Sequence, residues 1–482
     1  MQNDNINYCS EGINSAISKL IIVWELIMEK VSRKSGSFVK DMTVGNEFSL
    51  LLTFSIPMLI GNLFQQFYNM VDSVVVGKYV GADALAAVGA TGSLNFLFFS
   101  MCFGLGSGIG IMVSQYFGAG DDNAVKKTIF NSIMIIASIG IFMGLVGFIF
   151  AENILHFLNT PDNIIADSTL YMRIVFVGIP AVASYNCVSA IMRSLGDSKT
   201  PLVFLIITSF MNVGLDLLLV INFGMGVAGV AYATIITQYL ASIGAITFAL
   251  IKNPYFKIEK SLRHFDKEIT KNAYKLGLPL AAQNSLIAVS CVALQSVVNK
   301  FGSGIVAAYT ATSRVEQLVQ QPFSSLGMAM SAFAGQNIGA GKIERVKTSL
   351  IKGFIMIGIF SAIMLLVMLT LGDNIMRIFV SEPEVIKVGS SALKITSAFY
   401  FTLGMIYIIR GLLNGAGDAM YSMINGFSEV ICRILFANTL VLIPALGKWG
   451  IWFATALTWF VTGFVSLIRY KKGKWKNSRI VS

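Results

Sequence analysis

Twelve apolar runs, each separated from the next by charged or turn-forming residues, leave this chain few folds to choose from. They lie near 49–76, 86–114, 128–151, 167–192, 202–222, 227–251, 273–299, 305–335, 350–372, 387–412, 421–446 and 449–468. In the hydrocarbon of a bilayer a helix satisfies its own backbone polar groups, and about 20 apolar residues are enough to cross. Twelve such helices consume roughly 250 residues. Of the 482 residues 55% are hydrophobic and 13% charged, against roughly 25% charged in soluble proteins. No soluble core hides that much apolar surface, so a large soluble domain is excluded and an all-α polytopic membrane protein is predicted.

The basic residues orient it. With both termini inside, 27 of the 36 lysines and arginines fall on inner segments, Arg410 counted among them, and Arg314 and Arg433 fall within spans. That is the asymmetry of the positive-inside rule. The net charge of +11 therefore reports topology and contact with anionic inner-leaflet lipid rather than nucleic-acid binding.

The halves of the chain repeat at an offset of 221 residues. Gln115, Gly118, Ala119, Gly120, Val125 and Lys126 recur as Gln336, Gly339, Ala340, Gly341, Val346 and Lys347; Gly196-Asp197 recurs as Gly417-Asp418; Gly229, Ala233 and Thr234 recur as Gly450, Ala454 and Thr455. Pro57 and Pro279 agree within one residue. Six spans per repeat is an even number, so both halves enter the membrane in the same direction. The expected fold is twelve transmembrane helices in two six-helix lobes related by a pseudo-twofold axis along the membrane normal. The expected division is an amino-terminal extension over 1–42, lobes over 43–251 and 273–470, a basic cytoplasmic linker over 252–272, and a basic cytoplasmic tail over 471–482. The extension lacks a signal-peptide pattern and reads as a terminal segment of the commonly disordered kind or as a regulatory tail.

Several chemistries have no residues to support them. Cys9, Cys102, Cys187, Cys291 and Cys432 stand singly, without CxxC spacing, which favours neither a disulfide framework nor a thiolate metal site. His156 and His264 are the only histidines, and no GxxxxGK[ST] phosphate loop occurs.

Ionisable groups inside spans cost roughly 2.5 to 3.5 kcal/mol each, so each needs a reason. Asp72 closes the first span. Asn212 and Asp216 in the fifth are spaced i, i+4 and share one helical face. With Thr234 of the sixth they supply carboxylate, carboxamide and hydroxyl oxygens, an all-oxygen set suited to sodium or, through carboxylate protonation, to a proton. The same spacing is met by residues that only hydrogen-bond between helices. In the second half Arg314, Glu316, Glu429 and Arg433 sum to zero charge, which fits a fixed buried ion-pair network or a role in coupling. Pro57 removes a helical hydrogen bond and permits a kink fifteen residues before Asp72.

From Met42 to Lys472 the sequence resembles the multidrug and toxic compound extrusion (MATE) family. The resemblance rests on MTVGNEFSLLLTFSIPML (Met42–Leu59), QQFYNMVDSVVVGKYVGADALAAVGA (Gln65–Ala90), QYFGAG (Gln115–Gly120), RSLGDSKTP (Arg193–Pro201) and QNIGAGK (Gln336–Lys342). It implies cation-coupled efflux through a central cavity between two lobes. The family's amino-lobe cation site falls on Asp72, Asn212, Asp216 and Thr234, and its first-helix proline on Pro57. Some members carry a seventh-helix carboxylate where this chain has Ile287, which argues against a carboxyl-lobe site of that type.

The expected function is secondary antiport: organic, cationic or lipophilic compounds leave in exchange for sodium ions or protons, by alternating access, across the cell membrane. Small organic molecules and membrane lipid are the expected partners. Nucleic acid, a resident cofactor and an oligomeric partner are not expected. Two rivals are a lipid-linked saccharide flippase, which would favour a strongly cationic cavity, and a membrane-embedded enzyme, which would need a convergent catalytic set.

Overall fold

The computed structural model describes residues 39–158 and 160–480; the expected extension over 1–42 lies outside the described residues except for its last four. Every regular element among the described residues is a helix. The first half holds α1 (Glu47–Val75), α2 (Ala82–Gly118), α3 (Asp122–Phe157), α4 (Asp162–Val177), α5 (Ile179–Ser194), α6 (Lys199–Leu217) and α7 (Gly226–Lys252). The second holds α8 (Lys267–Val298), α9 (Ser303–Gly339), α10 (Ile343–Arg377), α11 (Pro383–Ser397), α12 (Tyr400–Gly415), α13 (Ala419–Leu440) and α14 (Gly450–Lys471).

α4 and α5 meet at 46° around Gly178, and α11 and α12 at 51° around residues 398–399, so each pair forms one broken span. The sequence places one span at 167–192 and one at 387–412; each is present, with a bend that hydropathy does not register. In the first lobe Pro180 has no N–H to continue the ladder; the second lobe breaks at the equivalent place without a proline. α13 stops at Leu440 rather than at the expected 446, since Pro444 cannot extend it. The fold is thus twelve spans in two six-helix lobes, and the repeat is visible in element starts: Ala82 and Ser303, Asp122 and Ile343, Asp162 and Pro383 are each 221 residues apart. Even the first caps match, with Asn46 accepting from Phe48 and Ser49 amides and Asp266 from those of Glu268 and Ile269.

Among the described residues eight helices are long and apolar enough to cross a membrane by themselves, and the two bent pairs bring that to ten. α9 and α13 fall short because charged and amide side chains interrupt them, and these two carry the polar groups of the second lobe. Lipid-facing surface is plainest on α10, where Ile351, Ile355, Ile359, Ile363 and Leu366 form an exposed stripe at helical spacing.

Small residues bring the lobes together. Gly104 and Gly108 of α2, in GxxxG spacing, meet the backbone of Ala281 and Gly277 on α8, the close approach that this spacing permits. α1 bridges the halves: Leu51, Phe54 and Met58 bury in the second lobe's core with Phe323, Met330 and Phe333. Farther along, Gly61 lets α1 lie on Leu202 and Leu205 of α6. The linker is docked rather than free. Tyr255 donates to Asp122 at 2.8 Å, Lys126 pairs with Glu259 at 3.3 Å, and buried Asn131 donates to the His264 carbonyl and accepts from the Asp266 amide. Burial, then the Asp122 carboxylate, push the Tyr255 hydroxyl well above its usual value, so that donor keeps its proton at physiological pH.

Candidate functional site

The packing of α1 on α6 and of α6 on α7 gathers the four first-lobe residues. Asp72 and Asp216 lie near enough for each acid to act on the other electrostatically. Asp216 and Asn212 are fully buried. The Asn212 amide nitrogen points to Thr237 Oγ1 at 3.5 Å, which leaves its oxygen for the cluster. Five buried oxygens result that accept no hydrogen bond: Asp72 Oδ1, Asn212 Oδ1, both of Asp216 and Thr234 Oγ1. An unsatisfied buried polar atom costs about 1 to 3 kcal/mol, and two adjacent carboxylates repel when both are ionised. A proton or a small hard cation removes both costs. Two acids among neutral oxygens match a monovalent ion; among the described residues no three His, Cys, Asp or Glu side chains converge as a metal site.

Two tyrosines that the sequence reading passes over belong here. Tyr68 and Tyr171 of α4 lie near enough to both acids to feel their charge. Tyr68 lies one turn before Asp72, a spacing that could have flagged it; nothing local marks Tyr171. Each of the two acid-bearing helices passes into a short π-helical turn just beyond its aspartate, Val76–Val80 after Asp72 and Leu218–Asn222 after Asp216, a device frequent at functional sites. α1 runs through Pro57 as one helix.

The second-lobe quartet is only partly assembled. Arg433 donates to Glu429 at 2.7 Å, both buried, and Glu316 lines the same cavity. Arg314 does not join them. Two residues from Glu316 on a helix it must face elsewhere, and it is exposed beside Phe379 and Val380. Its place is taken by Arg410, which the charge count puts on an inner segment but which lines this cavity, stacked on Tyr407 at 4.8 Å. Ile287 lines the cavity too.

At the end of the bundle carrying the described chain ends, the repeated motif closes the seam between lobes. Gln115 donates to the Gly415 carbonyl and Gln336 to that of Ser194, each at 2.8 Å, a reciprocal pair under the 221-residue repeat. The same side chains accept from the backbone amides of Ile480 and Met42. Glu47 at the start of α1 binds Arg345 and Lys352 of α10.

Two six-helix lobes around buried acids, sealed at one end, define a membrane transporter. The MatE family model matches twice, over residues 57–218 and 279–439, once in each lobe. The chain is 30% identical to probable multidrug resistance protein YpnP of Bacillus subtilis, over 91% of this chain and 98% of that one. It is 24% identical to probable multidrug resistance protein NorM of Thermotoga maritima, over 90% and 94%. Among solved structures, a MATE protein in the bent conformation superposes with a TM-score of 0.86 at 21% identity, covering 92% and 100%. A MOP superfamily transporter from Pyrococcus furiosus gives 0.84 at 22%, covering 90% and 98%. The chain belongs to the MATE family of multidrug efflux transporters.

Proposed function

We propose that the chain is a secondary antiporter of the cell membrane, with both termini cytoplasmic, that exports organic cationic or lipophilic compounds in exchange for sodium ions or protons. The observation that carries this reading is the cluster of five donor-less oxygens on α1, α6 and α7. With Asp72 and Asp216 ionised, the first lobe holds uncompensated negative charge and favours a cationic substrate in the cleft. Arrival of the coupling ion neutralises the pair and removes that attraction, so ion entry and substrate release are linked. A membrane potential contributes about 2.3 kcal/mol per charge per 100 mV, which sustains a gradient without ATP. The printed names of the relatives, multidrug resistance and multidrug export proteins, support the substrate class. A saccharide flippase would need a strongly cationic cleft, which buried acids do not supply.

The test is transport of a fluorescent cation in proteoliposomes with sodium and pH gradients imposed separately. One gradient drives uptake in the wild type, and Asp72→Asn and Asp216→Asn abolish the driven component while the proteins remain folded. Normal driven rates in both variants would remove the acids from coupling.

A further inference from the structure

The basic segment after α14 is docked on the sealed end of the bundle. α14 stops at Lys471, and Gly473, at φ +70°, turns the chain back in the left-handed conformation that commonly ends helices. One short 3₁₀ turn, Lys474–Asn477, then lays Trp475 against Tyr470. The indole is 1% exposed, stacks on the tyrosine ring at 5.5 Å, and donates its N–H to the Tyr470 carbonyl at 3.0 Å. Trp475 thereby belongs to the second lobe's core. Beyond this anchor the Ser478 carbonyl rests on Gly417, where a Cβ would stand 2.6 Å from it. The Ile480 amide then donates to Gln115 Oε1 at 2.9 Å, and Gln115 lies on α2 of the first lobe. That carboxamide is fully buried with both ends spent, its nitrogen on Gly415 and its oxygen on the tail. The other chain end makes a matching bond without crossing the seam. The Met42 amide and carbonyl bond Gln336 and Asn337 of α9, and the Met42 side chain buries in the second lobe's core. Of the two chain-end bonds, the one from Ile480 joins lobe to lobe.

We propose that residues 474–480 are a strap that fastens the second lobe to the first across the sealed end and releases Gln115 each time that end opens. Anchor and catch differ in strength, as a releasable strap requires: Trp475 is packed into a core, whereas the crossing itself rests on one hydrogen bond. Lys474, Lys476, Asn477 and Arg479 are exposed, so the stretch between anchor and catch turns polar side chains outward and lifts away without dragging apolar surface into water. Losing the net contribution of one hydrogen bond shifts the ratio of closed to open about 2- to 13-fold toward open. The inference rests on the alternating-access part of the efflux reading, in which the sealed end opens, and not on which ion or compound is carried.

The experiment measures how often the seam opens in the full chain reconstituted in liposomes. Ser114, 1% exposed, fills the space that Gly335 leaves by lacking a Cβ, between α2 and α9. Ser114→Cys, carrying the protein's one cysteine, reacts with a maleimide while the lobes are parted, and its labelling rate follows the open fraction. Ile480→Pro removes the amide donor and leaves the Trp475 anchor in place; a chain ending at Gly473 removes the whole strap. Ile480→Pro is expected to label about 2- to 13-fold faster than the unmodified strap, and the shortened chain at least as fast. Ile480→Ala, which keeps the amide, stays near the original rate. The control is a protein whose one cysteine is Cys187, buried within the first lobe; Ile480→Pro leaves its rate unchanged. Equal acceleration at Cys187 makes the tail a general packing element and overturns the proposal. So do an unchanged Ser114→Cys rate in Ile480→Pro, an Ile480→Ala rate as high as that of Ile480→Pro, and an absence of labelling throughout. Ion-driven uptake is scored on separate liposomes of the same protein, so its failure beside the expected labelling pattern counts against the antiport reading alone.

Discussion

Replacing Gly118 by alanine tests how the sealed end of the bundle is held. A Cβ built there falls well inside 3.0 Å of the Gln336 backbone, and one on Gly339 equally inside that distance of the Gln115 backbone. Real Cβ atoms do not approach so closely, and the obstacle is main chain at the ends of two packed helices, which cannot swing aside as a side chain would. The ends of α2 and α9 must separate. With them go the reciprocal bonds from Gln115 to Gly415 and from Gln336 to Ser194, each worth about 0.5 to 1.5 kcal/mol net. Losing both removes about 1 to 3 kcal/mol from the sealed arrangement, a shift of roughly 5- to 150-fold toward lobes parted at this end. Spin labels at Asn123 and Glu344, exposed positions related by the repeat, report the separation in a background without native cysteines. Double electron–electron resonance is expected to show one short distance in the wild type and a longer population in Gly118→Ala, with Gly339→Ala behaving alike. An unchanged distribution in a folded, membrane-inserted Gly118→Ala protein would refute the reasoning, because the seam would then tolerate a methyl group that the packing forbids.

Two further outcomes follow from packing. Glu429→Gln leaves Arg433 charged and buried without its partner, so thermal unfolding in detergent should fall by the equivalent of about 3 to 5 kcal/mol. The double replacement Glu429→Gln with Arg433→Met should recover most of that, and a single variant as stable as wild type would contradict it. Gly108→Ala places a methyl 2.6 Å from the Gly277 nitrogen where α2 crosses α8; overpacking of this kind costs about 1 to 3 kcal/mol, read as a lower Tm, whereas the same change at Gly120, whose Cβ meets nothing within 4 Å, perturbs only its own backbone.

Much of the candidate site was legible because it is written locally. Asn212 and Asp216 share a helical face by spacing alone, and the Met42–Leu59 and Gln65–Ala90 motifs tie Asp72 to them through resemblance. That Asp72 meets Asp216 in space depends on Gly61 seating α1 against Leu202 and Leu205, a fact of shape that no periodicity contains. The second lobe shows the limit more sharply. Arg314 and Glu316 look like members of one quartet, yet helix rotation sends the arginine outward, and Arg410, counted with the inner loops, turns into the cavity instead. The QYFGAG and QNIGAGK motifs were readable as a repeat, but their joint work, each glutamine holding the opposite lobe's carbonyl, joins residues 300 and 142 positions apart.

The sequence by itself determined the twelve spans, their two-fold duplication and that both lobes enter the membrane in the same direction, because hydropathy and repeat offset act on each segment regardless of its neighbours. Only the tertiary structure decided where two spans break, which charges find partners, which are left facing a cavity, and which end of the bundle is closed. Those outcomes depend on the rotation and crossing of whole helices, which are fixed by side-chain fit between segments hundreds of residues apart.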